Sequence, residues 1–200
     1  IEKIGKSAFA QNKNLTTVSI PNSVTEIEYG AFAGCENLSD IEIPDSVEAI
    51  GGFAFESDIN PGNTAWYDAQ ADGDVYAGKV YYKYKGTIAE GGTVNLKAGT
   101  KGIAGYAFLD QINLTGIEIP DSVTNIGDYA FVGCEKLHKV TVPASVTKIG
   151  EKALGYLTSG KGGQVYKLEG FTIRGVAGSA AEKYAKENEF NFEAYTPEYI

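Results

Sequence analysis

The feature that most constrains this chain is an internal repeat with a period of 23 residues. The stretch IEIPDSVTNIGDYAF, residues 117–131, has near-copies at residues 18–32, 41–55 and 140–154. A fixed period of this length is typical of a solenoid, in which each repeat forms one coil of a continuous stack. Two columns of residues keep the period and share one interruption of an extra 30 residues: phenylalanine at 9, 32, 55, 108 and 131, and proline at 21, 44, 120 and 143.

The residues of one repeat explain how a coil is built. Ile41 and Ile43 alternate with acidic residues, which predicts a short strand with one solvated face. Pro44 ends that strand because proline has no N–H for the ladder. The following GxxAF segment fits a tight or helical turn on the opposite side of the coil. One repeat cannot bury its own apolar residues, so we expect stacked coils to share a core.

The repeat is lost after Phe55 and returns at Thr93. Between them, DGDVYAGKVYYKYKG contains two apolar runs around Ala77-Gly78, which predicts a β-hairpin that protrudes from the solenoid. The C-terminal part changes character again. Ser179 and Glu182 form a predicted capping box, followed by a helix that ends at Asn188 and a last strand over Phe190 and Phe192. Such a helical cap would cover the apolar end of the stack.

These segments predict a single domain over residues 1–200. It contains repeats over residues 1–56 and 93–155, an insert over residues 57–92 and a C-terminal cap over residues 156–200. Ile1 falls in the middle of a repeat and the chain has no methionine, so we expect a mature or trimmed piece of a longer protein.

The composition argues against several partners. A net charge of −9, with Arg174 as the only arginine, argues against nucleic acid, whose phosphates are read by basic clusters. An acidic surface usually keeps a protein soluble, although it also suits a cationic partner. No apolar run reaches the roughly 20 residues of a membrane-spanning helix, so this segment is not expected to insert into a membrane.

Cys35 and Cys134 occupy the same repeat position three coils apart. At about 4.8 Å per coil they would lie on the order of 15 Å apart, too far for a disulfide, so we predict two free, buried thiols. The sequence predicts no metal site and no cofactor, since no third ligand recurs beside the cysteines. No nucleophile is marked near His138, the only histidine, and we expect no enzymatic activity.

The pattern IxIPxSVxxIGxxAFxGCxxL resembles the BspA-like leucine-rich repeats of bacterial surface proteins, over residues 1–55 and 93–155. The resemblance implies an α/β, β-rich fold: a right-handed leucine-rich-repeat solenoid with parallel strands on its concave face. The inserted hairpin and the C-terminal helical cap complete this fold. The resemblance further implies secretion or attachment to the bacterial surface, and adhesion to a host or community protein or glycan.

Two surfaces are candidates for binding. The first is the outward-facing column of the concave strands, which includes Glu42, Asn95, Glu118 and Thr141 and carries no aromatic residue. The second is the insert, in which Trp66, Tyr67 and Tyr81 could form an aromatic platform for a glycan or a protein. The alternative is that these rings only pack the hairpin onto the solenoid, because an added hairpin must bury apolar surface to be stable.

Three hypotheses for function follow from these observations. The first is a non-enzymatic extracellular interaction module that binds a protein or glycan through its solenoid surface and its aromatic insert. The alternative is a structural spacer or stalk segment of a larger cell-surface protein, which the start within a repeat favours. An enzyme such as a glycoside hydrolase ranks third, because the carboxylates fall in phase with the repeat, as solvated residues would.

Overall fold

A computed structural model of the protein describes residues 1–57, 62–160 and 163–197. The chain forms a parallel β-solenoid of about eight turns, which confirms the predicted leucine-rich-repeat fold. The elements, in chain order, are β1 Lys3–Ile4, β2 Thr17–Ser19, β3 Glu26–Ile27, β4 Asp40–Glu42, β5 Ala49–Ile50, α1 Ala65–Asp68, β6 Gly73–Ala77, β7 Val80–Lys85, β8 Gly92–Asn95, β9 Gly102–Ile103, β10 Leu114–Glu118, β11 Asn125–Ile126, β12 Lys139–Thr141, β13 Lys148–Ile149, β14 Tyr156–Thr158, β15 Val165–Lys167, β16 Thr172–Gly175, α2 Ala180–Glu187 and β17 Asn191–Ala194.

Each coil contributes one strand to each of two parallel ladders. The first ladder, on the side predicted to be concave, consists of the pairs β2–β4 and β8–β10 and the sheet β12–β16–β17. The second ladder consists of β1–β3–β5 and β7–β9–β11–β13. The register aligns identical repeat positions, as in Ile4, Ile27 and Ile50 of three successive coils. The parallel register therefore follows directly from the repeat.

The phenylalanine column forms the centre of the stack. Phe32 lies between Phe9 and Phe55 with nearly parallel rings and centroid distances of 5.2 and 5.7 Å. Phe108 and Phe131 stack in the same way at 4.8 Å. Except for Phe9 in the first coil, these rings are almost completely buried. Burial of a side chain of this size stabilises the fold by about 1.5 to 3 kcal/mol, which gives the period its physical basis.

The predicted hairpin is confirmed, since β6 and β7 pair antiparallel across the turn at Gly78 and Lys79. The expectation that it protrudes from the solenoid is wrong. Strand β7 belongs to the second ladder, where it pairs in parallel with β9. Tyr82 packs against Phe55 of the preceding coil at 5.3 Å, and Tyr81 packs against Phe108 of the following coil at 4.8 Å. The first half of β7 is therefore buried on both faces, because Tyr82 packs on the coil before it and Tyr81 on the coil after it.

The hairpin separates the coils on one side of the stack. On the first ladder, β4 and β8 lie in separate two-stranded sheets, and the hairpin turn at Gly78 lies against Ile43. Beyond the second ladder, the coils before and after the insert still touch, because the Gly105 N–H donates to the Ile50 carbonyl at 3.0 Å. The insert thus opens the first ladder while the coils stay joined at the opposite side.

The C-terminal cap agrees with the prediction in most respects. Helix α2 ends at Glu187 with Asn188 as its C-cap, as expected, and buries one apolar face. The predicted capping box is wrong, because the Ser179 side chain makes no capping hydrogen bond and Glu182 accepts the Gly178 N–H at 2.6 Å. The last strand, β17, includes Phe192 but begins after Phe190. The cap also contains an antiparallel hairpin of β14 and β15.

Cys35 and Cys134 are free and buried, as predicted. Each thiol donates to the carbonyl of a phenylalanine one coil earlier, Cys35 to Phe9 at 2.9 Å and Cys134 to Phe108 at 3.2 Å. Gln111 occupies the same repeat position in the coil after the insert. Its side chain bonds instead to the backbone of the insert's end, so Cys35, Gln111 and Cys134 each join neighbouring parts of the stack.

Candidate binding site

The structure places the aromatic residues predicted from the insert inside the protein. Tyr81 is 0% exposed and Tyr67 is 6% exposed, and burial raises the pKa of both phenols. Trp66 is half-buried and packs against Phe55 at a centroid distance of 4.9 Å. This placement agrees with the alternative in which the rings pack the hairpin onto the solenoid. Tyr67 and Tyr81 have no open ring face on which a partner could lie.

The predicted polar column is divided by the insert. Asn95 and Glu118 are exposed and directly paired, whereas exposed Glu42 lies in the β2–β4 sheet, before the hairpin of β6 and β7. Thr141 is half-buried and pairs with Arg174 of the cap. The structure therefore brings Asn95 and Glu118 together and separates them from Glu42, so the four residues do not form one continuous column.

A row of half-buried aromatic residues lies beside the second ladder and was not expected from the sequence. We call Tyr29, Phe53, Tyr106 and Tyr129 the aromatic row; they lie on the turns that follow β3, β5, β9 and β11. The ring centroids of Tyr29 and Phe53 are 5.7 Å apart, those of Phe53 and Tyr106 5.0 Å, and those of Tyr106 and Tyr129 5.1 Å. The row is continuous across the insert because the coils remain joined on this side.

Three members of the aromatic row adopt a backbone conformation that suits glycine. Phe53, Tyr106 and Tyr129 have φ values of 56°, 57° and 55°, in the left-handed region that bulky residues rarely adopt. Gly30 occupies the same repeat position at 64°, and Ser7 and Lys152 occupy it in the first and last coils. The turn therefore requires the conformation but not an aromatic side chain. The sequence feature that could have indicated the row is an aromatic residue at a position that varies from repeat to repeat.

Two grooves border the aromatic row. The apolar groove has a volume of about 470 Å³, with Leu109 and Val132 among its apolar lining and Asp110 beside them. Thr158 and Val165 of the β14–β15 hairpin also line it. The acidic groove, about 360 Å³, lies over the backbone of three glycines and is lined by Glu26, Glu28, Asp128 and Lys6. Tyr29, Tyr106 and Tyr129 line both grooves, so the tyrosines form a ridge between them.

Lysines of the chain already lie over several rings of the row. Lys83 lies 4.9 Å from the centroid of Phe53, and an ion pair of 2.7 Å with Glu56 holds it there. Lys152 lies 5.6 Å from the centroid of Tyr129. It also pairs with Glu151 and holds the pKa of that carboxyl below its usual value. These contacts fix the rings and supply cation–π partners from within the chain.

The described residues, 1–57, 62–160 and 163–197, contain no cluster of histidine, cysteine, aspartate and glutamate that could hold a metal ion. In the same part of the chain, no helix is both long and apolar enough to cross a bilayer. The side chains around the row can offer stacking edges, apolar contacts and carboxylate acceptors. The arrangement is suited to non-covalent binding by a repeat scaffold.

The family profile described as "BspA type Leucine rich repeat region" matches the chain in 6 copies over residues 1–63 and 89–161. This match covers more than half of the chain, which therefore belongs to the family of BspA-type leucine-rich repeat proteins. The resemblance inferred from the repeat pattern is confirmed. No curated protein sequence matches the chain.

Solved structures of three bacterial proteins are similar to this chain. A leucine-rich cell surface protein from Faecalibacterium prausnitzii is 21% identical with a TM-score of 0.37, covering 88% of this chain and 59% of that protein. A leucine-rich repeat protein from Bacteroides ovatus is 20% identical with a TM-score of 0.31, at the same coverage of 88% and 59%. The pneumococcal vaccine antigen PcpA is 19% identical with a TM-score of 0.31, covering 98% and 66%. The chain thus spans less than two thirds of the length of these proteins.

Proposed function

We propose that this chain is a non-catalytic, extracellular interaction module of a bacterial surface protein, and that it binds a host or community protein or glycan. The observation that carries this proposal is the aromatic row with its two grooves. Aromatic side chains are often found at the energetic centre of interfaces, and here four lie together between an apolar and an acidic groove. Membership of the BspA-type family supports the extracellular location.

The residue types at the turns of the row add support to this proposal. Glycine would fit the left-handed turn without strain, as Gly30 does, yet Phe53, Tyr106 and Tyr129 occupy it. Because the repeat imposes this turn on every coil, it is the aromatic side chains at three of these positions, and not the turn itself, that give a reason to look for a function. The row is thus a better candidate than the insert, in which Tyr67 and Tyr81 are buried and Trp66 packs against Phe55. Asn95 and Glu118 of the first ladder stay a secondary candidate surface.

The proposal is tested by comparing the wild-type chain with a Tyr106→Ser, Tyr129→Ser double variant on arrays of extracellular-matrix proteins, mucins and glycans. Serine is a matched replacement because Ser7 adopts the same left-handed turn in the first coil. The control is Tyr166→Ser, which removes a tyrosine that is 50% exposed and whose side chain lies on the opposite face of β15 from Val165.

We expect the wild type and the control to bind at least one class of array member and the double variant to bind about tenfold more weakly. Equal binding by all three proteins would show that the row is not part of the binding interface. If the wild type binds no array member, the spacer or stalk hypothesis replaces this proposal.

A further inference from the structure

We infer that the aromatic row binds an extended polypeptide segment in which apolar and basic residues alternate. This inference rests on the proposed function and names the chemistry of its partner. The apolar groove would receive the apolar side chains of the segment, and the acidic groove would receive its lysine or arginine side chains. The segment would lie along the tyrosine ridge that separates the two grooves.

The orientation of the rings argues for a polypeptide rather than a glycan. Sugar rings stack on open aromatic faces. Tyr106 and Tyr129 are nearly parallel, at 12° and 5.1 Å, so the two rings cover each other's faces. Lys152 lies over the ring of Tyr129, and Lys83 lies over the ring of Phe53. The row therefore presents ring edges, which pack against aliphatic and aromatic side chains without needing an open face.

The apolar groove is suited to hydrophobic side chains. Its volume of about 470 Å³ lies within the range of small-ligand pockets, which is about 300 to 1,000 Å³. Leu109 and Val165 are half-buried and line the groove, beside the buried Val132. Side chains such as leucine or phenylalanine would exclude water from the apolar surface of Leu109 and Val165, which favours binding.

The negative charge of the acidic groove favours lysine or arginine side chains in the bound segment. Glu26, Glu28 and Asp128 line the groove together with Lys6, and Glu26 is already paired with Lys3, so Glu28 and Asp128 carry the negative charge offered to a partner. Glu28 accepts the Lys6 backbone N–H at 2.9 Å and Asp128 accepts the Glu151 N–H at 2.8 Å, so both carboxylates are held in place. Fixed carboxylates are good acceptors for ammonium and guanidinium groups. The net charge of −9 would also steer a basic partner towards the protein.

The geometry of the row sets the length and the pattern of the segment. The ring centroids of Tyr29 and Tyr106 are 6.5 Å apart and those of Tyr106 and Tyr129 are 5.1 Å apart. The ridge is therefore at most about 12 Å long, which corresponds to about four residues of extended chain at about 3.3 Å per residue. Successive side chains of an extended chain point to opposite sides. A segment along the ridge would therefore place every second residue in the apolar groove and the residues between them in the acidic groove.

The experiment is a selection from a random 12-residue peptide display library on the immobilised wild-type chain, with depletion on the Tyr106→Ser, Tyr129→Ser variant. We expect enriched peptides to contain about four residues in which apolar and basic residues alternate. Synthetic copies should bind the double variant and a Glu28→Gln, Asp128→Asn variant at least about tenfold more weakly. Binding should also weaken as salt is raised, and Tyr166→Ser should bind like the wild type. Far-UV circular dichroism and urea midpoints show whether each variant is folded.

Three results would overturn the inference. They are the absence of any enrichment, enrichment of acidic or uncharged peptides, and enriched peptides that bind both folded variants as well as the wild type. A glycan array run with the same proteins separates this failure from that of the proposed function. Glycan binding that depends on the row, without peptide binding, would contradict the peptide inference and leave the proposed function standing. Binding to neither peptides nor glycans would contradict both.

Discussion

At the scale of single residues, the aromatic row depends on a backbone conformation that its side chains disfavour. For a residue with a Cβ atom, the left-handed region costs roughly 1 to 2 kcal/mol. The repeat imposes this conformation on every coil, because Gly30 and Lys152 adopt it as well as the aromatic residues. The strain is therefore a property of the turn, and the aromatic side chains add to it without relieving it.

The first prediction isolates this strain at Tyr129. Tyr129→Gly and Tyr129→Ala both remove the ring, so they lose the same stacking contact with Tyr106. We expect the glycine variant to be more stable than the alanine variant by about 1 kcal/mol, because glycine has no Cβ atom to strain at positive φ. Urea unfolding of the two variants measures the difference. Alanine more stable than glycine, the usual order in regular structure, would mean that the turn is not left-handed in solution.

The second prediction concerns the two cysteines. Both thiols are buried and each donates to a carbonyl, and burial raises the pKa of Cys134 and Cys35. The neutral thiol is a poor nucleophile, so we expect alkylation of the native chain at about pH 8 to be slow at both positions. Intact-mass analysis should show two labels after alkylation in denaturant without a reducing agent. A denatured chain that takes up no label would reveal a disulfide or another modification of the thiols.

At the scale of elements, the hairpin of β6 and β7 is where sequence and structure differ most. The alternation of Val80, Tyr82 and Tyr84 against Tyr81 predicts a strand, and β7 is one. The sequence could not place the hairpin, because tyrosine suits both a solvated face and a buried one. In the structure Tyr81 and Tyr82 take the place of a phenylalanine between Phe55 and Phe108, so the insert continues the aromatic core.

The repeat explains why other parts were predictable. Ile41 and Ile43 recur in phase along the chain, and a periodic apolar pattern specifies strands, register and core together. The repeat position of Phe53, Tyr106 and Tyr129 shows no periodic apolar pattern, because it also holds Ser7 and Lys152. Phe53 and Tyr106 are 53 residues apart in the sequence and 5.0 Å apart in space. Only the closure of the coils beside the insert brings them together.

The third prediction uses the buried phenols of the hairpin. Burial raises the pKa of Tyr82 and Tyr81 above the value of about 10 that holds in the unfolded chain. Below about pH 10 both states keep these protons. Above it, the unfolded state loses them first and binds fewer protons, so the free energy of unfolding falls by about 1.4 kcal/mol per pH unit for each buried phenol.

Tyr82→Phe tests this coupling. Between about pH 10 and pH 11, we expect the free energy of unfolding of the variant to fall less steeply than that of the wild type. The difference should be about 1.4 kcal/mol per pH unit, which corresponds to one proton. The loss of the Tyr82 hydroxyl, which donates to Glu56 and accepts the Phe55 N–H, should also lower its stability at neutral pH. Tyr166→Phe is the control, since an exposed phenol should leave the slope unchanged. An unchanged slope for Tyr82→Phe would show that this phenol titrates in the native state.

At the scale of the whole molecule, two hydrophobic cores meet at the insert. One core contains Phe32 and Phe55, and the other contains Phe108 and Phe131. The hairpin joins them on one side, and a close approach of Gly52 and Gly105 joins them on the other. The second contact keeps Phe53 beside Tyr106. The continuity of the aromatic row therefore depends on a backbone contact between coils that are distant in sequence.

The last prediction breaks this contact with a single methyl group. A Cβ atom at Gly105 would lie 2.7 Å from the Gly52 nitrogen and 3.2 Å from the Asp128 carbonyl oxygen. Backbone atoms cannot rotate away, so Gly105→Ala should push the coils apart and cost roughly 1 to 3 kcal/mol. Gly5→Ala is the control, because a Cβ atom there would meet nothing within 4 Å and the stability should stay close to that of the wild type. Urea unfolding followed by the fluorescence of Trp66, the only tryptophan, measures both variants. Equal midpoints for Gly105→Ala and Gly5→Ala would mean that the coils do not close at this position, and that Phe53 and Tyr106 belong to separate surfaces.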